Sequence, residues 1–161
     1  RALNRSSQNH AGFIRMNDLK TLYQEVILDH SKKPRNFHAL EHHSHAATGH
    51  NPLCGDNLKV FVRVENDVIQ DVSFVGDGCA ISKASASLMT EMAKGKSIEE
   101  FQQLYAQFHQ VATTQEPIPA DFGKLQVLAG VRDYPSRVKC ATLAWHTLDA
   151  ALHHQDSAKT E

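Results

Sequence analysis

The sequence predicts an α+β layer fold, and two observations carry that expectation. Strand-like patterning is confined to one block, residues 46–75, with helical spacing before it and in several segments after it. No internal repeat or linker-like stretch divides the 161 residues, a length expected of one domain. A domain of this size buries roughly 70% of its unfolded surface, so it needs neither disulfide nor metal to fold. A metal held here is therefore expected to be functional.

The elements follow in order. Residues 1–15 contain three Arg, two Ser and no acid, weak traits of an organellar transit peptide, without the apolar stretch of a secretory signal. Met16 reads as the native start, and residues 1–15 as a disordered leader or artificial extension outside the domain. Asn17 or Asp18 is expected to cap a helix to about His30, with Leu19, Leu22, Tyr23, Val26 and Ile27 at helical spacing. Pro34 ends it, because the residue before a proline is driven out of helical backbone. Residues 36–50 carry His38, His42, His43, His45 and His50. Such a tract can bind metal, but the favoured reading is a solvated loop leading into a short strand near Ala46–His50.

Leu58–Glu65 and Val68–Val75 read as strands, with Val60, Val62 and Val64 alternating against Phe61, Arg63 and Glu65. Asn66-Asp67 is the expected tight turn between them. Gly76-Asp77-Gly78 breaks the second strand, and from Cys79 the period turns helical through Ile81, Ala84, Leu88 and Met92. Ser97 and Glu100 have capping-box spacing for a helix from Ile98 to about His109. Residues 110–121 read as a loop and Phe122–Leu128 as a short helical turn. Pro135-Ser136 opens a last helix burying Leu143, Ala144, Leu148, Ala151 and Leu152. The domain is expected over residues 16–155, followed by a frayed tail, 156–161.

Composition narrows the function. A net charge of −1 and the lack of a long Lys/Arg run argue against a nucleic-acid surface. No apolar run reaches the ~18 residues of a membrane helix, so a soluble protein is expected, placed in the cytoplasm. Three cysteines, an odd number without a CxxC pair, fit neither a disulfide framework nor a zinc ribbon.

Each cysteine instead sits at a junction. Cys54 lies in the turn Asn51-Pro-Leu-Cys-Gly-Asp56, Cys79 at a strand exit and helix entrance, and Cys140 near the start of the last helix after Arg137 and Lys139. A thiol at a helix N-terminus or beside a cation has a depressed pKa, and the thiolate is both nucleophile and metal ligand. Gly55 lets the turn tighten so that Cys54 and Asp56 can face one centre. Cys54, Asp56, Cys79 and Cys140 make a four-ligand set suited to tetrahedral zinc, and the same soft donors suit an iron–sulfur cluster. Arg137 and Lys139 are candidates for electrostatic support of the thiolates. Asp77 reads as a turn residue, Trp145 as packing, and Tyr23 as core or interface.

These motifs resemble the NifU N-terminal / IscU-type iron–sulfur scaffold family over nearly all of residues 18–153. The resemblance rests on Leu22-Tyr-Gln-Glu25, Pro34-Arg-Asn36, Asn51-Pro-Leu-Cys-Gly-Asp56, Gly76-Asp-Gly-Cys-Ala-Ile-Ser82 and Arg137-Val-Lys-Cys-Ala-Thr-Leu-Ala-Trp145. Within the family the chain is most similar to the SufU branch. Lys139 stands where the classical scaffold has His, Asp133-Tyr-Pro-Ser-Arg-Val-Lys139 replaces its chaperone-recognition stretch, and residues 107–125 look like the SufU insertion. These departures point away from Hsp70-type chaperone delivery and toward a SufS-type cysteine desulfurase as partner.

The resemblance implies a sheet of three antiparallel strands with helices on one face and the site at one exposed end. It implies zinc on Cys54, Asp56, Cys79 and Cys140, and persulfide sulfur accepted at Cys54, a zinc-dependent sulfurtransferase role. Downstream Suf assembly proteins or iron–sulfur apo-proteins would be the recipients. The alternative it implies is a non-enzymatic scaffold, holding a transient [2Fe–2S] cluster on the same four residues and passing it to apo-proteins. A zinc-stabilised interaction module without sulfur chemistry is a third reading.

Overall fold

Helix α1 (Met16–Lys32) opens the described chain. The structure is a computed structural model that describes residues 16–160, so the expected leader, 1–15, lies outside the described residues. The helix begins at Met16, ahead of the Asn17/Asp18 cap, and runs past His30 to Lys32, where Pro34 stops it. Its packed stripe is narrower than the spacing implied. Ile27 is buried and Tyr23 and Val26 are half-buried, but Leu22 stays 37% exposed. His30 is buried instead, its Nδ1 bonded to Ser87 Oγ at 2.7 Å.

Three strands follow: β1 (His45–Asn51), β2 (Asp56–Glu65) and β3 (Val68–Asp77). β2 pairs antiparallel with both neighbours. Asn66 and Asp67 both adopt left-handed backbone (φ 53° and 62°), as a two-residue hairpin whose twist matches its strands requires. Leu58, Val60 and Val62 point into the core, while Asn57 and Lys59 on the opposite face are exposed. Phe61 also points outward, yet is buried under the ring of His43 and within cation–π range of Lys59. β3 passes through Gly76 to Asp77, two residues beyond the expected strand end at Val75.

Helix α2 (Ala80–Ala93) begins directly after Cys79, and α3 (Ile98–Thr113) carries the complete capping box of Ser97 and Glu100. α3 extends four residues beyond His109 into the expected loop, because Val111 and Ala112 continue its buried face. A 3-10 segment, Gly123–Val131, replaces the expected short turn and reaches three residues further. The last helix, α4 (Pro135–Leu152), has Pro135 in its first turn and packs against β1 and β2. Trp145 is a packing residue, fully buried between α3 and α4. Phe101 and Phe108 stack on its ring at 5.8 and 4.3 Å, and its Nε1–H donates to Ser85 Oγ at 3.0 Å.

The sheet has four strands, not three, and is mixed. Ser157–Lys159 forms β4, parallel to β1, in the order β3-β2-β1-β4. A frayed tail was expected there from its polar sequence. The pairing edge of β1 overrides that composition: Thr48 N–H donates to Asp156 O at 2.9 Å, and Thr160 N–H to His50 O at 3.1 Å. No helix among the described residues is long and apolar enough to cross a membrane.

Candidate functional site

The site is built on the turn between β1 and β2. Asn51 ends β1 and faces Asp56, which begins β2. Gly55 N–H returns to Asn51 O at 2.9 Å, and Gly55 takes the left-handed backbone (φ 74°) that glycine adopts without strain. The turn leaves Cys54 exposed at its tip and sinks Asp56 to 0% exposure. The Asp56 carboxylate is held at both oxygens. Oδ1 accepts from Cys79 N–H at 2.9 Å, and Oδ2 accepts from Asn51 Nδ2 at 3.1 Å.

Cys79 enters from the β3–α2 junction. It is the N-cap residue of α2, and its sulfur accepts from Ser82 N–H at 3.4 Å. Cys140 comes from the first turns of α4, buried, with its thiol 3.2 Å from Cys54 Sγ. The ligand atoms of Cys54, Asp56 and Cys140 all lie within 4.8 Å of one another, a grouping that could hold a metal ion. Cys79 adjoins it through its backbone N–H on Asp56 Oδ1, while its sulfur lies outside that 4.8 Å grouping. The fold thus groups the ligand atoms of Cys54, Asp56 and Cys140 at one end of the sheet and sets Cys79 beside them through its backbone.

Their protonation is uneven. The Cys140 thiol bonded to Cys79 draws the Cys79 pKa down to about 7, with the Ser82 and Ile81 N–H groups adding to that against the opposing effect of burial. Cys140 is pushed strongly up, first by that same bond and then by burial. Of the pair, Cys79 gives up its proton first and Cys140 keeps its own. The helix N-terminus contributes to this through the Ser82 and Ile81 N–H groups, after the larger effect of the Cys140 thiol.

The other expected residues are placed differently. Arg137 is exposed and lies over the ring of Tyr134, 4.6 Å from its centroid. Tyr23 sits near Arg137 and packs against Gly130, and burial raises its phenol pKa. Lys139 is half-buried, and its carbonyl accepts from Thr160 Oγ1 at 3.4 Å. Asp77 is exposed at the end of β3, paired in register with Asn57, outside the thiol group. The histidines of the loop do not gather at the site. His38 and His43 bond to the nearby carbonyls of Ala39 and Leu40, His50 to Asn57, and His45 meets His154. Asn51, part of the turn motif, also belongs to the site, because its Nδ2 reaches Cys140 Sγ at 3.5 Å. Its place directly across the turn from Asp56 was the available signal.

An α+β domain that gathers thiols and a buried carboxylate at one end of its sheet is of the class that could hold a metal ion there. Comparison with known proteins makes this specific. The model of the NifU-like N-terminal domain matches residues 22–159, and the chain belongs to that family. It is 38% identical over 142 residues to the zinc-dependent sulfurtransferase SufU of Bacillus subtilis, covering 86% of this chain and 95% of that one. It is 39% identical over 145 residues to the iron–sulfur cluster assembly scaffold protein IscU of Streptococcus pyogenes, covering 89% and 91%. A crystal structure from Fervidobacterium islandicum, described as an iron–sulfur cluster assembly scaffold for the SUF system, superposes with a TM-score of 0.76 at 33% identity, covering 82% of this chain and 97% of that one. The chain is of the IscU/SufU type.

Proposed function

We propose that this chain serves iron–sulfur cluster assembly by accepting persulfide sulfur at Cys54 from a SufS-type cysteine desulfurase. The observation that carries the reading is the asymmetry of the thiols: Cys54 is exposed at a turn tip, while Cys79 is half-buried and Cys140 buried behind it. A partner's persulfide can reach Cys54 first. The Cys54 thiolate attacks the outer sulfur of that persulfide, and a new S–S bond forms. The old S–S bond breaks, and its electron pair leaves with the desulfurase thiolate. The outer sulfur keeps its proton, so the transfer needs no external oxidant or reductant.

Asp56, Cys79 and Cys140 hold the site together during this exchange. With Cys54 they form the ligand set on which this reading places zinc. Zinc bound there would keep the coordinating thiols deprotonated at neutral pH. Arg137, exposed beside Tyr134, is positioned to meet the incoming partner, and Lys139 adds positive charge next to Cys140. Suf assembly proteins or iron–sulfur apo-proteins would receive the sulfur.

A second reading, a scaffold that builds a [2Fe–2S] cluster as cargo on the same residues, is favoured by the similarity to IscU at 39% identity. One experiment separates the two. Desulfurase turnover with cysteine is measured with the wild type and with Cys54→Ala, alongside zinc content. Strong stimulation that disappears in the folded variant, with about one zinc per chain in the wild type, supports sulfur acceptance. Little stimulation, with a coloured cluster formed from iron and sulfide, supports the scaffold.

A further inference from the structure

The structure assigns to Asn51 the task of positioning the metal-binding set, through one side-chain amide shared between Asp56 and Cys140. Asn51 is fully buried. Its Nδ2 carries two N–H bonds and has two acceptors within reach, Asp56 Oδ2 at 3.1 Å and Cys140 Sγ at 3.5 Å. The reverse orientation of the amide would set Oδ1 against a carboxylate oxygen and a sulfur lone pair, so the amide nitrogen faces the site.

The rest of the side chain argues against a packing role. Asn51 Oδ1 is buried with no hydrogen-bond partner. Leaving such a group unsatisfied costs roughly 1–3 kcal/mol, which an apolar residue of the same size would avoid. The amide is retained at that cost at the position where its two donors meet two of the four proposed ligands. These ligands come from elements far apart in the chain, β2 and the start of α4. Asn51 therefore ties a strand carboxylate to a helix sulfur, and it draws negative charge from both. Together with Cys79 N–H on Oδ1, it leaves Asp56 little freedom to turn away.

Partners of this kind, which orient ligands and tune their donor strength, change metal affinity by about 10–100-fold when removed. The N–H···S bond has a second effect. It stabilises the sulfur lone pairs, so its loss makes Cys140 a stronger electron donor to a bound metal.

This inference rests on the reading of Cys54, Asp56, Cys79 and Cys140 as metal ligands, and the test separates the two. Wild type, Asn51→Ala and Asn51→Leu, which keeps the branched shape but not the amide, are purified without a His tag and reduced. Zn²⁺ affinity is measured by competition with a chromophoric chelator, Co²⁺-loaded spectra are recorded, and melting of the metal-free forms is followed by circular dichroism. The expected result is one metal per chain in each, a Zn²⁺ affinity lower by about 10–100-fold in whichever variants fold, and a sulfur-to-cobalt charge-transfer band moved to lower energy. Unchanged affinity overturns the role of Asn51 while the metal site stands. Weakened affinity with an unmoved band also overturns it, because general loosening would give that result. A wild type that binds neither Zn²⁺ nor Co²⁺ overturns the metal reading and this inference together.

Discussion

His30 shows what a single polar side chain does when a helix buries it. Its Nδ1 bonds to Ser87 Oγ, which also receives Arg35 N–H at 2.8 Å. Burial holds its pKa below the ordinary 6.5, with Arg35 adding to that and Glu91 opposing it. His146 shifts the same way, through burial and then His109, and His45 through burial and then His154. A depressed histidine pKa means that the unfolded chain binds protons more readily. The stability it contributes is therefore complete above about pH 6.5 and is lost as pH falls toward the folded value. The metal-free protein should melt at lower temperature at pH 5.5 than at pH 7.5, and His30→Gln should flatten that dependence. Equal slopes in the two proteins would remove His30 from the account. At this scale the sequence was legible where chemistry sits at turns: Cys54, Asp56, Cys79 and Cys140 each follow from a local motif. His30 was not, because its partner lies 57 residues away, and Asn51 was only in part, because Asp56 is five residues away but Cys140 is 89.

Among the elements, α3 is the one whose start was written most openly. Ser97 Oγ accepts from Glu100 N–H at 3.0 Å, and Glu100 Oε1 accepts from Ser97 N–H at 2.9 Å. Ser97→Ala removes one of these bonds and should cost about 1 kcal/mol, a fall in Tm of about 2–4 °C for a domain of this size. A melting curve that overlays the wild type would show that α3 is held by Phe101 and Phe108 alone. The end of α3 was less legible. Prolines at 117 and 119 pulled the expected loop too far back, while Val111 and Ala112 still had a core to face. β4 left the faintest trace, since Ser-Ala-Lys has no strand-like alternation. It becomes a strand because β1 offers an unpaired edge, and an edge of that kind imposes its own pairing.

The whole molecule depends on that last strand more than its three residues imply. β4 runs beside β1, the strand that leads into the Cys54 turn, and Thr160 reaches both His50 O and Lys139 O. Removing residues 156–161 should lower stability by roughly 1–3 kcal/mol, and thermal melting of the truncated chain would measure it. Unchanged melting would return these residues to the status of a tail. The α+β class and the order of elements were legible from periodicity. The fourth strand and its parallel pairing were not, because they arise only once β1 and α4 are in place. The spacing of the thiols has a consequence for the making of the protein. Cys54 and Cys140, 86 residues apart, touch only in the finished fold. At synthesis rates of about 5–20 residues per second, Cys54 leads Cys140 by roughly 4–17 s. Throughout that interval the emerging chain carries Cys54 without its α4 counterpart, so the growing polypeptide cannot complete the Cys54–Asp56–Cys140 grouping until its final helix has been translated.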